Sequence, residues 1–189
     1  MNYNSLIIKA MKRVLVVVDV QNDFVDGTLG SAEAQAAIAN ICQKITNFEG
    51  GLIAVTQDTH SEDYLATKEG KALPVVHCVE GSDGWRINAA VAEALGARND
   101  VEVVYVQKPT FGSEELLQRV ADYTQGEEFA IEFVGFCTDI CVLSNAIMCK
   151  ARFYDRATIA VDASCCAGVT PEKHRAALDV ISSCQIEIL

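Results

Sequence analysis

Five short runs rich in β-branched residues recur along the chain with helical patterns between them. This alternation restricts the fold more than any other feature of the sequence. The clearest run is residues 13–19, RVLVVVD. It is continuously apolar rather than alternating, as expected of a strand buried on both faces. Residues 52–56, 101–107, 129–136 and 157–161 read as further strands, and residues 185–189 as a last one. Between them, residues 32–48 carry Ala36, Ile38, Ile41, Ile45 and Phe48 on or near one helical stripe, and the Glu-Gly-Gly at 49–51 stops it. Residues 114–123 form a second predicted helix with Ser113 as N-cap, and a third runs from Thr138 to about Phe153. A fourth spans 170–182, opened by Thr170 as N-cap and Pro171 at the first helical position. Strands alternating with helices predict an α/β three-layer sandwich, a central mostly parallel sheet flanked by helices on both faces.

The length of 189 residues suits one domain with one sizeable core. Met11 immediately precedes the first strand-like run, so residues 1–10 read as an N-terminal extension and 11–189 as a single domain. A net charge of −11 argues against nucleic acid as a partner, because phosphates would be repelled. No apolar run reaches the roughly 18 residues of a membrane span, and the polar start lacks a signal-peptide core. The expectation is a cytoplasmic protein with no membrane partner. Eight scattered cysteines without a CxxC pair are expected to be reduced thiols. Cys165 and Cys166 are adjacent, a spacing that seldom bonds without strain. The segment 57–88 is polar and irregular, and connections of that length in compact domains usually serve function or are disordered.

Ligands of open parallel sheets bind outside the carboxyl ends of the strands. The predicted strand ends deliver Asp19, then Asp58 and His60, then Lys108, then Cys137 and Cys141. Cys141 falls in the first turn of a predicted helix, where the partial positive charge is expected to lower a thiol pKa. Lys108 would stabilise the thiolate, and Asp19 would take the thiol proton and return it to a leaving group. The N–H groups of Cys137 and Cys141 would face a developing oxyanion. Each residue also has an ordinary reading. A cysteine at a helix start is often a small buried hydrophobe, an aspartate after a strand often a turn former, and a lysine there often a solvated rim residue. On the residues alone, the two cysteines four apart remain a nucleophile and its neighbour, a redox pair, metal ligands or core packing.

The motifs VVVDVQNDF, TQDTH, VHCVEGSDGW, VQKPTF and VGFCTDICVLSNA occur in that order and resemble the isochorismatase-like cysteine hydrolases, most closely nicotinamidases. The resemblance covers the chain from Arg13 to Leu189. It implies a catalytic triad of Asp19, Lys108 and Cys141, and a cis non-proline bond at Phe136–Cys137 that aims the oxyanion-binding amides. Cys137 then acts as a structural neighbour rather than a redox partner.

The resemblance also implies a divalent metal, zinc first with manganese or iron as alternatives, on Asp58, His60 and His77. Family members differ in the remaining ligand. Glu69 is the best candidate here, ahead of Glu62 and Asp63. The other reading makes His60 and His77 turn-stabilising residues. Aromatic residues near the positions of Phe24 and Phe111 flank a planar substrate in the family, and Trp85 is a third pocket candidate, with core packing as the alternative for each. Gln21, Asn22 and Asp23 are expected to tie the first loop together by side-chain hydrogen bonds. His174 reads as a structural helix residue.

The implied activity is hydrolysis of a small-molecule carboxamide through a thioester, nicotinamide to nicotinate and ammonia first. Other reactions of the superfamily, on N-carbamoyl or ureido amides or on isochorismate, and a non-catalytic binding role are the alternatives. The resemblance further implies a homo-oligomer.

Overall fold

The computed structural model describes residues 11–189; the expected extension at residues 1–10 lies outside them. Six strands form one sheet in the order β3-β2-β1-β4-β5-β6, and every strand pair is parallel. The strands are β1 (Lys12–Val18), β2 (Leu52–Asp58), β3 (Glu102–Lys108), β4 (Phe129–Phe136), β5 (Ala157–Ala167) and β6 (Glu187–Ile188). The helices are α1 (Asn22–Val25), α2 (Ala32–Asn47), α3 (Lys68–Ala72), α4 (Ala89–Gly96), α5 (Glu114–Thr124), α6 (Leu143–Phe153) and α7 (Pro171–Ser183). Among the described residues no helix is long and apolar enough to cross a membrane.

Residue alternation sorts the strand side chains into two cores. Val14, Val16 and Val18 of β1 join Leu116 of α5, Phe153 of α6 and Ile181 of α7 on one face. Leu15 and Val17 join Ile41 and Ile45 of α2 and Val91 of α4 on the other. This is the expected three-layer sandwich, and it explains why β1 is apolar at every position. It also explains the adjacent cysteines. Cys165 belongs to the α2 core and Cys166 to the opposite one, as successive residues of a strand must. All eight cysteines are free thiols.

Several elements differ from the sequence expectation, the short helices α1 and α3 among them. β5 continues six residues beyond Val161, because its register shifts between Phe133 and Gly135 and resumes with Gly135 opposite Cys166. Helix α4 lies where no helix was expected. Its signals are Asn88, whose side chain caps Ala90 N, and a short apolar stripe of Val91 and Leu95. The predicted helix from Thr138 begins instead as one π-helical turn, Thr138–Val142, before α6.

β1 and β4 are parallel neighbours, but the order of strand addition reverses between them: the chain builds outward from β1 through β2 to β3, then crosses back to β4 and on to β6. Ligands favour the crevice at such a reversal. Gly135 lets the two strands meet there: its φ is +116°, and a Cβ would be driven onto the Val18 carbonyl oxygen. The irregular stretch after β2 is pinned over this end by side chains. Gln21 donates to the carbonyls of Asp58 and Trp85 and accepts from Asp58 N at 2.7 Å. Asn22 donates to Asp83 O, and Asp23 accepts from Cys78 N at 2.7 Å. The expected ties of Gln21, Asn22 and Asp23 are present: Asp23 Oδ1 accepts from the N–H and hydroxyl of Thr28 within the first loop, and the other bonds reach across to residues 58–85.

Candidate active site

Asp19 follows β1 in a left-handed conformation, φ 49°, with its N–H on Thr56 O. Its carboxylate is fully buried and is held from two sides. Thr56 donates its hydroxyl to Oδ1 at 2.6 Å, and Lys108 Nζ lies 2.7 Å from Oδ2. The same ammonium lies 3.5 Å from Cys141 Sγ and 3.9 Å from Asp58 Oδ1. Lys108 is 1% exposed, so it is a buried bridge between the acid and the thiol and not a solvated rim residue. Burial acts to lower its pKa, but Asp19, Cys141 and Asp58 raise it further, so the ammonium keeps its proton.

Cys141 sits in the π-helical turn, 5% exposed. The lowered thiol pKa expected from the helix start is not what the surroundings produce. Burial pushes the thiol well above its ordinary value, the Asp19 charge pushes it further, and Lys108 pulls it back only in part. Desolvation of a thiolate outweighs the end of one helix. Burial likewise raises Asp19, against the pull of Lys108, which makes it a stronger proton acceptor than an exposed carboxylate. The Phe136–Cys137 peptide is cis.

Asp58, His60 and His77 form a second cluster beside this one, with ligand atoms all within 4.8 Å of one another. Asp58 Oδ2 is 3.0 Å from His60 Nε2 and 3.4 Å from His77 Nε2. Glu69 Oε1 is 3.9 Å from His60 Nε2, so the fourth candidate reaches the same group. His77 Nδ1 lies 2.8 Å from Val75 O; that carbonyl fixes the Nδ1 proton and leaves Nε2 facing the cluster. One or two carboxylates and two imidazoles on a common point fit a borderline divalent cation. Burial opposes the Asp58 charge, yet the hydrogen bonds from His60 and His77 prevail and hold it well below the usual carboxylate range.

Both clusters open on a cavity of about 360 Å³. Cys137, Cys141, Asp58, Glu69 and His77 line it, and Leu29, Leu73, Ile140 and Val169 make it largely apolar. Of the expected aromatics, Phe24 lines the cavity and packs edge-on to His77 at 5.7 Å between ring centroids. Phe111 lines its mouth and is 47% exposed. Trp85 does not line it. Its indole donates to Thr59 Oγ1 at 2.9 Å and its ring packs on the α2 core, so it braces the loop. The position after a Gly-rich turn does not reveal which way such a ring faces.

Two supporting residues were not singled out from the sequence. Thr56 gave no signal, being one more β-branched residue in a strand. Asn145 was legible in principle as a poor helix former on a buried helical face, one turn after Cys141. Its amide donates to Cys141 O at 2.8 Å and to Phe111 O at 3.1 Å, and its carbonyl accepts from Ser113 N at 3.0 Å. It fastens the cysteine turn to the Phe111 loop.

An isochorismatase domain model matches residues 13–189. An uncharacterized isochorismatase family protein, PncA, of Bacillus subtilis (strain 168) is 29% identical over 148 residues, 72% of this chain and 78% of that protein. The pyrazinamidase/nicotinamidase of Streptococcus mutans superposes with a TM-score of 0.78 at 26% identity, covering 94% of this chain and all of that one. The pyrazinamidase of Pyrococcus horikoshii in complex with zinc superposes with a TM-score of 0.76 at 23% identity, covering 94% of this chain and 98% of that one. The domain match and the likeness of fold agree: the chain belongs to the isochorismatase family of hydrolases.

Proposed function

We propose that the chain is a cysteine-dependent amidohydrolase that converts nicotinamide to nicotinate and ammonia. The observation that carries this reading is the single buried ammonium of Lys108, which touches both Asp19 and Cys141 where β1 and β4 diverge. Because the thiol is held protonated at rest, Asp19 removes the proton as sulfur attacks the carbonyl carbon. The N–H groups of Cys137 and Cys141 receive the oxyanion. The tetrahedral adduct collapses, the C–N bond breaks, and ammonia leaves with the proton that Asp19 held. Water then cleaves the thioester to give the acid and restore the thiol.

Asp58, His60, His77 and Glu69 would hold a divalent cation at one wall of the cavity. Such a cation supplies a Lewis-acid anchor for a lone pair such as a ring nitrogen. The largely apolar cavity, with Phe24 and Phe111 at its sides, suits a planar ring. The likeness to the pyrazinamidase/nicotinamidase of Streptococcus mutans and the pyrazinamidase of Pyrococcus horikoshii supports this substrate class.

The test is ammonia release from nicotinamide by the purified protein beside Cys141→Ala. The wild type is expected to release ammonia catalytically and the variant none above background. Equal release from both would end the assignment.

A further inference from the structure

His174 stands outside the cavity and outside the triad, yet it reaches the turn that carries the nucleophile. Its Nδ1 lies 2.8 Å from the hydroxyl of Thr138, the residue directly after Cys137 and three before Cys141. Thr138 is fully buried, and His174 is the one side-chain partner of its hydroxyl among the described residues. Two further contacts bind the same turn to the start of α7. Asp139 Oδ1 accepts from Val169 N at 2.9 Å. Gly168 runs so close that a Cβ there would lie 2.8 Å from Asp139 Oδ1 and 2.8 Å from His174 N. Inside the turn, Cys137 O accepts from both Ile140 N and Val142 N at 3.1 Å, so a displacement of Thr138 is passed to Cys141. Burial lowers the pKa of His174, which favours the neutral ring near pH 7. A neutral Nδ1 either accepts from the Thr138 hydroxyl or, in the other tautomer, donates to it.

We propose that His174 is a positioning residue: through the Thr138 hydroxyl it fixes the π-helical turn, and thereby sets Cys141 Sγ against Lys108. The proposal rests on Cys141 being the nucleophile. It assigns a directional role to a residue that would otherwise be only a half-buried member of α7. Removing one anchor of a buried hydroxyl leaves the turn free to shift, and catalytic geometry is sensitive to displacements of that order.

The experiment compares wild type with His174→Ala, His174→Asn, His174→Gln, Thr138→Val and Thr138→Ser. It reads kcat and KM for the amide, the rate of Cys141 alkylation by iodoacetamide located by peptide mass, and the melting temperature. An Asn amide reaches roughly where Nδ1 sits, while a Gln amide reaches toward Nε2. The expected result is a loss of about tenfold or more in kcat, with KM changed less than about threefold, for His174→Ala and Thr138→Val. Cys141 alkylation should slow in parallel. His174→Asn and Thr138→Ser should stay within about threefold of wild type, His174→Gln should fall with the alanine variant, and the Ala/Val double variant should be no worse than either single change.

The proposal is overturned if His174→Ala keeps kcat within about twofold. It is also overturned if Asn is no better than Gln, a comparison that stands even where the alanine variant fails to fold. Should no amide be hydrolysed by the wild type, the proposed function fails alone. Alkylation of Cys141 then decides this inference, and an unchanged rate in His174→Gln beside His174→Asn would overturn it.

Discussion

Asp19 and Lys108 act on the same sulfur with opposite sign, and this makes their roles separable. The Asp19 charge raises the Cys141 thiol pKa, whereas Lys108 lowers it. In Asp19→Asn the raising influence is gone and the ammonium remains, so the thiol pKa should move down. Iodoacetamide inactivation should therefore set in at lower pH, with a several-fold faster rate near neutrality than in wild type. Amide turnover should nevertheless fall by about a hundredfold or more, since no group takes and returns the proton. A variant that alkylates faster while hydrolysing slower identifies Asp19 as proton carrier; parallel loss of both would make it merely structural. The identities of these three residues were legible from their strand-end positions and motifs. The ionisation of Cys141 was not, because burial depends on how α6, the Phe111 loop and β4 close over it, and no local sequence pattern records that.

Among the elements, β1 and β4 carry the tightest constraint. Gly135 combines a positive φ with a backbone approach that leaves no room for a methyl group. Gly135→Ala should destabilise the fold by about 3 kcal/mol or more and abolish activity, because relief requires prising apart the strands that deliver Asp19 and Cys137. Urea denaturation measures the first effect; a loss under about 1 kcal/mol would refute the packing argument. The strands were readable in the sequence because a two-sided core demands unbroken apolar runs. The end of β5 was not. The β-branched run stops at Val161, and nothing in ASCCA marks a continuing strand until one sees that Cys165 and Cys166 serve opposite cores. The stretch from Thr59 to Asn88 was opaque for a different reason. It is ordered by Gln21 and Asp23 bonding to its backbone from the first loop and by the Trp85 indole donating to the Thr59 hydroxyl, and such bonds leave no periodicity.

On the scale of the whole molecule, the cluster of Asp58, His60, His77 and Glu69 links β2 to the loop that roofs the cavity. A ligand that binds only the folded state stabilises it by mass action. Zinc added to chelator-treated protein should raise the melting temperature by several degrees, with one equivalent retained after gel filtration. His77→Ala should show neither effect while keeping its far-ultraviolet dichroism. The D-x-H pair and the later histidine were visible from the motif, and Glu69 was selected as the best carboxylate of the intervening loop. Its 3.9 Å approach to His60 fits that choice.

Residues 97–101 join the only two stretches of chain that the site requires. Asp19, Asp58, His60 and His77 precede that connection, and Lys108 and Cys141 follow it. In the sheet, however, β3 and β4 of the later stretch clasp β2 and β1 of the earlier one from both sides. A chain severed between Asn99 and Asp100 would thus yield two fragments that are each chemically silent. Co-expressed, they have every backbone ladder needed to interleave, and reconstituted turnover would make the site a natural split reporter of its own assembly.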